Sequence, residues 1–345
     1  MPESTTSPGA LTELPGRVTP YVLAAGGGRA HLLIDQVGRA IAGAEETAGA
    51  WSMMMLEGPA GRPIPLHFHR QELEFFYCHR GRMQLWLDGE SRLLTVGDFG
   101  FAPPGTVHAF GLIGHHSGFS GPVMPGGWDR FFDLTGIPYD GVGPFPVGFV
   151  PEIPFAKFGQ AEQQFDMQYL PEAEYAAPRT DAPDDTLPGA MTPYFLRAGE
   201  GRRHLVGDIL VTTLCSPAET DGALTMLTVE LPAGAGVPAH GHERTTEGLL
   251  VLDGALRVWL DGEEHLVSQG QYASIPPGTI HRWEGGAPFT KALVMSTPGG
   301  LNALLPRIGA PTELHMFPGN GAAPAAAALA QAAAAGDHDI RVVES

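Results

Sequence analysis

Apolar residues in this chain fall in short runs separated by Gly, Pro and Asp. Short runs rich in β-branched and aromatic residues, bounded by turn formers, read as strands. The first half predicts strands at residues 51–57, 66–68, 73–78, 83–87 and 100–102. The second half predicts them at 224–231, 248–252, 256–260 and 272–275. Leu87-Asp88-Gly89-Glu90 carries the Asp-Gly pair that suits a tight hairpin. A helix-compatible stretch runs over 156–169, and the alanine-rich stretch 319–335 reads as a frayed helix with no chemistry of its own. The first fifteen or so residues are expected to be mobile. With 47 Gly and 32 Pro spread among the runs, the pattern favours an all-β fold, a sandwich or jelly-roll barrel, with few helices.

The runs repeat. TPYVLAAGGGRAHLL opens at Thr19 and TPYFLRAGEGRRHLV at Thr192, 173 residues on. WLDGE at Trp86 and Trp259, PPGT at Pro103 and Pro276, and Pro-Gly-Gly at Pro125 and Pro298 keep the same offset. Residues 19–138 and 192–311 therefore read as two copies of one unit with one fold. The remainder divides into an arm (1–18), a Pro- and Gly-rich linker with one helix packed outside a barrel (139–191) and a tail (312–345).

Length and charge narrow the function. The chain has 345 residues, enough for two domains with cores of their own. Its net charge of −18 repels nucleic-acid phosphates and anionic membrane surfaces. No apolar stretch approaches the ~20 residues that span a bilayer, and the first residues lack a basic, then apolar, leader pattern. Two cysteines, Cys78 and Cys215, make no disulfide framework, so a cytoplasmic location is expected.

The chemistry-bearing pattern is carried by histidines. His67 and His69 are two apart on an extended strand, so both face one way. Glu74 returns after a short turn, and His108 arrives from a later strand. The second copy repeats the set as His240, His242, Glu247 and His281. Three imidazoles and a carboxylate converging inside a barrel suit a divalent transition metal, one per copy. Mn, Fe, Ni, Co, Cu or Zn fit those donors, and the open coordination positions would take water, substrate or dioxygen; if dioxygen is the substrate, redox-inert Zn is a poor choice. Glu72 is a rival ligand or a rim charge, and Cys78 a small apolar filler or a thiolate ligand. Met53, Met54, Met55 and Met226 are expected mostly in the core. Phe68, Phe76, Phe110 and Trp283 are candidates for an aromatic-lined cavity, again with the core as default. His79, His115 and His116 stand outside the ligand pattern and are expected on surface or loops.

Gly61-x5-His67-x-His69-x4-Glu74-x6-Gly81, followed by Gly97-x5-Pro103-x-Gly105-x2-His108, resembles the two cupin motifs, and the second copy matches from Gly234 to His281. The Asn that usually closes the second motif is Leu112 in one copy and Gly285 in the other. The wider chain is similar to the bicupin quercetin 2,3-dioxygenases. The similarity is carried by the two openings (Pro20-Tyr-Val-Leu and Pro193-Tyr-Phe-Leu), Phe76-Tyr77-Cys78, Pro125-Gly-Gly-Trp-Asp-Arg-Phe-Phe and Glu247-Gly-Leu-Leu-Val-Leu-Asp-Gly.

That resemblance implies a fold of two jelly-roll barrels and an activity that cleaves the heterocyclic ring of a flavonol with O2, giving a depside and carbon monoxide. It implies that Glu74, or Glu247 in the second copy, takes the proton of the flavonol 3-hydroxyl. It also allows a homodimer. Competing expectations are a bicupin oxygenase or cyclase acting on another aromatic, polyketide-like substrate; an oxalate-type decarboxylase; a gentisate-type ring-cleaving enzyme; and a non-catalytic metal- or ligand-binding bicupin. The Met- and Phe-rich surroundings of the ligands disfavour a small dianion such as oxalate, and gentisate-type sites generally lack the Glu.

Overall fold

In a computed structural model, described residues are 9–141, 143, 145–146, 149, 154–179, 185–299, 301–319, 330–331, 334 and 339–343. Most of the alanine-rich tail, and part of the acidic Pro-rich run after Tyr175, lie outside them.

The chain opens with β1 (Tyr21–Leu23), β2 (Arg29–Leu33), β3 (Gln36–Ala42) and β4 (Ser52–Gly58). Then come β5 (His67–Phe68), β6 (Leu73–Leu87), β7 (Glu90–Thr95), β8 (Phe99–Ala102) and β9 (His108–Met124). Helix α1 (Asp129–Thr135), β10 (Ile137–Pro138), α2 (Phe155–Gln164) and β11 (Gln168–Tyr169) follow. The second copy supplies β12 (Tyr194–Leu196), β13 (Arg202–Val206), β14 (Ile209–Cys215), α3 (Pro217–Thr220), β15 (Thr225–Leu231) and β16 (Gly236–Gly241). It continues with β17 (Thr246–Asp253), β18 (Ala255–Leu260), β19 (Glu263–Ser268), β20 (Tyr272–Ile275), β21 (His281–Gly285) and β22 (Thr290–Thr297). Helix α4 (Leu301–Ile308), β23 (Ala310–Pro311) and β24 (Arg341–Val342) complete it.

The fold is mostly β, as the apolar runs require, and forms two compact units. Residues 28–199 make one around an eleven-stranded sheet ordered β10-β2-β3-β4-β9-β6-β8-β12, with β7 on β6, β5 on β9 and β11 on β5. Residues 1–27 and 200–345 make the other. Its eight-stranded sheet is ordered β1-β20-β17-β22-β15-β14-β13-β23, and its five-stranded sheet β19-β18-β21-β16-β24. The copies exchange their opening strands. Tyr21–Leu23 pair antiparallel with Tyr272–Ser274, whereas Tyr194–Leu196 pair with Phe99–Phe101. All six side chains of β1 and β12 are buried. The exchange covers the open backbone edges of β20 and β8, which would otherwise present unpaired N–H and C=O groups.

The hairpin at Leu87-Asp88-Gly89-Glu90 forms as its Asp-Gly pair predicts. Asp88 and Gly89 have φ of 44° and 78°, and Asp261 and Gly262 repeat this at 49° and 91°. The two short strands expected at 73–78 and 83–87 are one strand, β6, whose register against β9 slips near Arg80. Gly81 explains the slip: its φ is 62°, and a Cβ there would lie 2.5 Å from Ser117 Oγ. His79 thus sits on a strand and is largely covered, beside Glu57; His115 and His116 lie on β9. Those three are strand residues, where a loop was the alternative expectation. Among the described residues no helix is long and apolar enough to cross a membrane.

Candidate metal centres and the cavity beside the first

His67 sits on β5 and His108 at the start of β9, directly opposite one another in register. The β9 strand also pairs with β6, which carries Glu74. His69 follows β5 in the turn leading to β6. Short strands and a two-residue spacing thus bring four side chains from distant sequence positions to one point. His67, His69, Glu74 and His108 are all buried, with ligand atoms within 4.8 Å of one another. His240, His242, Glu247 and His281 form the same group in the other unit, from β16, the turn after it, β17 and β21.

Hydrogen bonding fixes which nitrogen faces inward. His67 Nδ1 lies 2.9 Å from the carbonyl of Pro65, and His108 Nδ1 2.9 Å from that of Thr106. His240 and His281 do the same with Pro238 at 2.8 Å and Thr279 at 3.2 Å. His69 and His242 use the carbonyls of Asp166 and Asp339. A carbonyl only accepts, so each Nδ1 carries the proton and each Nε2 lone pair points to the centre.

In the first group Glu74 Oε2 lies 3.1 Å from His108 Nε2, and Oε1 lies 3.4 Å from His69 Nε2. In the second, Glu247 Oε2 lies 2.7 Å from His281 Nε2, and Oε1 3.7 Å from His242 Nε2. Lone pairs of imidazole and carboxylate facing each other at these distances repel unless a cation lies between them. His69 Nε2, His240 Nε2, His242 Nε2 and Glu247 Oε1 are buried polar atoms without a hydrogen-bond partner. Such atoms are costly unless something satisfies them. A divalent ion would do so. Ligand bonds of about 2.0–2.2 Å place donors roughly 3–4 Å apart, close to the spacing seen here. The residues present fit a metal at both places.

The electrostatics of His67 and His240 agree; His69 is instead raised, the burial that would lower it being outweighed by Glu74. Burial pushes His67 well below the ordinary imidazole range, and the neighbouring His108 and His69 push it further. Burial, with His281 beside it, takes His240 down to about 3. Neutral imidazoles are what a metal requires. Burial alone would raise Glu74, but His108 and His69 outweigh it and hold its carboxyl well below the usual range. Glu247 is held at about 2 against the same opposition, chiefly by its charge attraction to His242 and the His281 hydrogen bond.

Glu72 stands outside the four-donor group, in the turn before β6 and 3.8 Å from His69 Nδ1. Burial, with Asp166 alongside, pushes its carboxyl up to about 7. Cys78 is a filler: fully buried, its Sγ faces the carbonyls of Arg80, Gly81 and Leu94, and burial raises its thiol to about 12.

A cavity opens on the first group. It holds about 70 Å3 in which the centre of a water molecule fits, and about 700 Å3 of empty space when its open mouth is counted. His67 and Glu74 line it, with Gln36 and Tyr169 as further polar side chains. Phe76 and Phe110 line it as expected and Met54 joins them, whereas Phe68 does not; Met53 and Met226 are core. Trp128, Phe131, Phe158, Met167 and Tyr169 also line it, and these were not foreseen. They come from α1, α2 and β11 and from the residues just before α1 and β11, so the linker helix walls the cavity as well as covering the barrel. The signal available was the cluster of aromatics at the end of the first repeat and in the linker. At the offset of the repeat, Phe76, Phe110, Phe119, Phe131 and Phe132 correspond to Leu249, Trp283, Ala292, Leu304 and Leu305. These five belong to one buried core cluster of the second copy, and Trp283 is a core residue there.

Comparison with known proteins follows the same lines. The cupin domain model matches twice, at residues 54–117 and 227–294. Quercetin 2,3-dioxygenase of Bacillus subtilis (strain 168) is 31% identical over 305 residues, which cover 88% of this chain and 90% of that protein. The chain belongs to the bicupin quercetin 2,3-dioxygenase family. Quercetin 2,3-dioxygenase of Aspergillus japonicus is 24% identical over 83% of the chain and 91% of its own length. Solved structures share the fold. Oxalate decarboxylase of Bacillus subtilis has a TM-score of 0.52 at 15% identity, over 84% of this chain and 79% of that one. Procruciferin, an 11S globulin of Brassica napus, has 0.52 at 12%, over 82% and 84%. Both barrels of this bicupin carry a metal-type donor group, and the chain is an oxidoreductase of the metal-dependent dioxygenase type.

Proposed function

We propose that the chain opens the heterocyclic ring of a quercetin-like flavonol with O2, releasing a depside and carbon monoxide, and that it does so at the first copy's site. His67, His69, Glu74 and His108 hold one divalent transition metal, and His240, His242, Glu247 and His281 a second. The observation that carries the reading is the cavity: a buried four-donor group bordering a space walled by aromatic and aliphatic side chains. A planar aromatic guest suits such walls. Among the described residues no Arg or Lys lines it, which disfavours a small dianion. In the second copy the residues that correspond to Phe76, Phe110, Phe119, Phe131 and Phe132 belong to a contiguous apolar core.

A bound divalent metal would supply Lewis acidity, lowering the pKa of an adjacent hydroxyl and stabilising the anion that forms. Glu74 takes the proton of the 3-hydroxyl. Its carboxylate is a weak base, so it acts only on a hydroxyl made unusually acidic. Phe76, Phe110 and Trp128 orient the ring system and keep bulk water from the electron-rich enolate while O2 adds. Trp128 also meets His69 edge-on at 4.8 Å and stacks on Phe131, which ties the wall to the donor group.

The test mixes metal-loaded protein with quercetin in air and measures quercetin, O2 and carbon monoxide. Stoichiometric carbon monoxide supports the reading. Metal-loaded protein that consumes neither quercetin nor O2 removes the flavonol assignment, and turnover of a polyketide-like aromatic in its place would redirect it.

A further inference from the structure

The six histidines are not held alike. Four of them bond the carbonyl two residues before them: Pro65, Thr106, Pro238 and Thr279. His69 and His242 depend on remote chain. Each donates Nδ1–H to the carbonyl of an aspartate 97 residues later, Asp166 or Asp339.

The same aspartates grip the turn that follows the histidine. The Asp166 carboxylate accepts the backbone N–H groups of Arg70 and Gln71, both at 2.6 Å. The Asp339 carboxylate accepts those of Glu243 at 3.0 Å, Arg244 at 2.8 Å and Thr245 at 2.9 Å, and the Thr245 hydroxyl at 3.0 Å. Neighbouring strands complete each strap. Tyr169 of β11 pairs opposite His67, and Val342 of β24 opposite His240. Asp166 and Asp339 stand 173 residues apart, the offset of the repeat, although one lies in the linker and the other in the tail.

We propose that Asp166 and Asp339 are positioning residues, each locking the second histidine of its donor group. Retention of metal at the first site then depends on the linker strap, and at the second on the C-terminal strap. The carbonyl fixes the ring's tautomer and tilt, and the carboxylate stops the turn from carrying the ring away. Partners behind a ligating histidine raise its basicity and hold its orientation, and losing them costs about 10–100-fold in metal affinity. The inference rests on the metal reading proposed above.

The experiment uses full-length protein loaded with Co(II). It compares wild type with Asp166→Ala, Asp339→Ala and the two Asp→Asn variants. Metal per chain, the rate of transfer to a chelating dye, the Co(II) d–d absorption and the melting temperature of the metal-free protein are measured. Asp339→Ala is expected to speed loss of one of two cobalt ions about 10–100-fold and to alter its d–d band, with the other unchanged. Asp166→Ala is expected to do the same to the other ion. Asp→Asn keeps one acceptor oxygen, and an intermediate rate is expected. If an Ala variant fails to fold, its Asn partner carries the test with an expected acceleration nearer tenfold. Two ions leaving at wild-type rates with unchanged bands, even with a lowered melting temperature, would show the aspartates to be loop caps and overturn the proposal. Wild-type protein that takes up no cobalt would overturn the metal reading instead.

Discussion

Replacing Glu74 with Gln separates proton transfer from metal retention. Glu74 is 8% exposed and lines the cavity, with one oxygen 3.1 Å from His108 and the other 3.4 Å from His69. Glutamine keeps an oxygen in nearly the same place but loses the charge and the basicity. A positioned general base contributes about 10²–10⁴-fold, equivalent to about 3–5 kcal/mol of barrier. Weaker metal binding is the competing effect, because one anionic donor is gone. It is separable, since excess metal restores occupancy but not a missing base. The expected result is kcat lowered about 10²–10⁴-fold at saturating metal, with metal per chain unchanged by elemental analysis. Glu247→Gln, beside the packed core of the other copy, is expected to leave kcat near the wild-type value. Carbon monoxide release with quercetin is the readout for both. Full turnover in Glu74→Gln with its metal retained would refute the base role. Equal losses in the two variants would refute the assignment of turnover to the first site.

Other outcomes follow from neighbouring geometry. Asp129 is buried, accepts from Ser52 Oγ at 2.6 Å and Ala44 N at 3.3 Å, and pairs with Arg29. Asp129→Ala leaves those donors poorly satisfied, and urea denaturation should show a loss of about 1–3 kcal/mol. Because Asp129 begins α1, which bears Phe131 and Phe132, KM should rise as well; an unchanged midpoint and KM would contradict this. Glu57 is held below its usual value: burial would raise it, but the hydrogen bond from His79 and the charges of His79, His116 and Arg80 prevail. A depressed carboxylate stabilises the fold above its unfolded value of 4.5 and loses that contribution as pH falls through the lower folded value. Glu57→Gln should therefore flatten the decline in stability below about pH 4.5; an acid limb identical to wild type would rule Glu57 out as its source. Chelation should lower the melting temperature, since metal at 100 times its dissociation constant stabilises by about 2.7 kcal/mol. A melting curve indifferent to both chelator and added Mn, Fe, Co, Ni or Cu would speak against either donor group holding an ion.

The donor groups were legible because coordination constrains sequence tightly. Two histidines must stand two residues apart, and a carboxylate must return at a fixed distance, so His67, His69, Glu74 and His108 announce themselves twice. Several strands, among them those at 51–57, 224–231 and 256–260, were legible as apolar runs. Their partners were not, because the pattern of Tyr21–Leu23 is the same whichever edge it covers. The Asp166 and Asp339 straps were invisible for a different reason. Their bonds to His69 and His242 come from backbone carbonyls, which leave almost no trace in side-chain identity. Only the aspartate itself, in Asp-Met-Gln-Tyr against Asp-Ile-Arg-Val, survives as a shared letter.

Duplication put the same four donors into both barrels, so coordination cannot be what distinguishes them. The walls can. Phe119 of the first copy is Ala292 in the second, Phe131 is Leu304, and Tyr169 is Val342. The first set borders open space and the second joins or packs against a continuous core. Glycine at 121, where the second copy has Val294, contributes to the same divergence. A Cβ there would lie only 1.7 Å from the carbonyl oxygen of Phe75, so the close approach of these cavity-lining strands requires glycine. The consequence is testable by transplant. Phe131→Leu with Phe132→Leu gives the first cavity the second copy's α-helical wall while leaving all eight donors in place. If walls select the substrate, this double variant should bind two metal ions per chain yet lose flavonol turnover mainly through KM. Unaltered KM in a correctly metallated double variant would mean that the aromatic face of α1 does not hold the guest, and the choice between the two barrels would have to lie elsewhere.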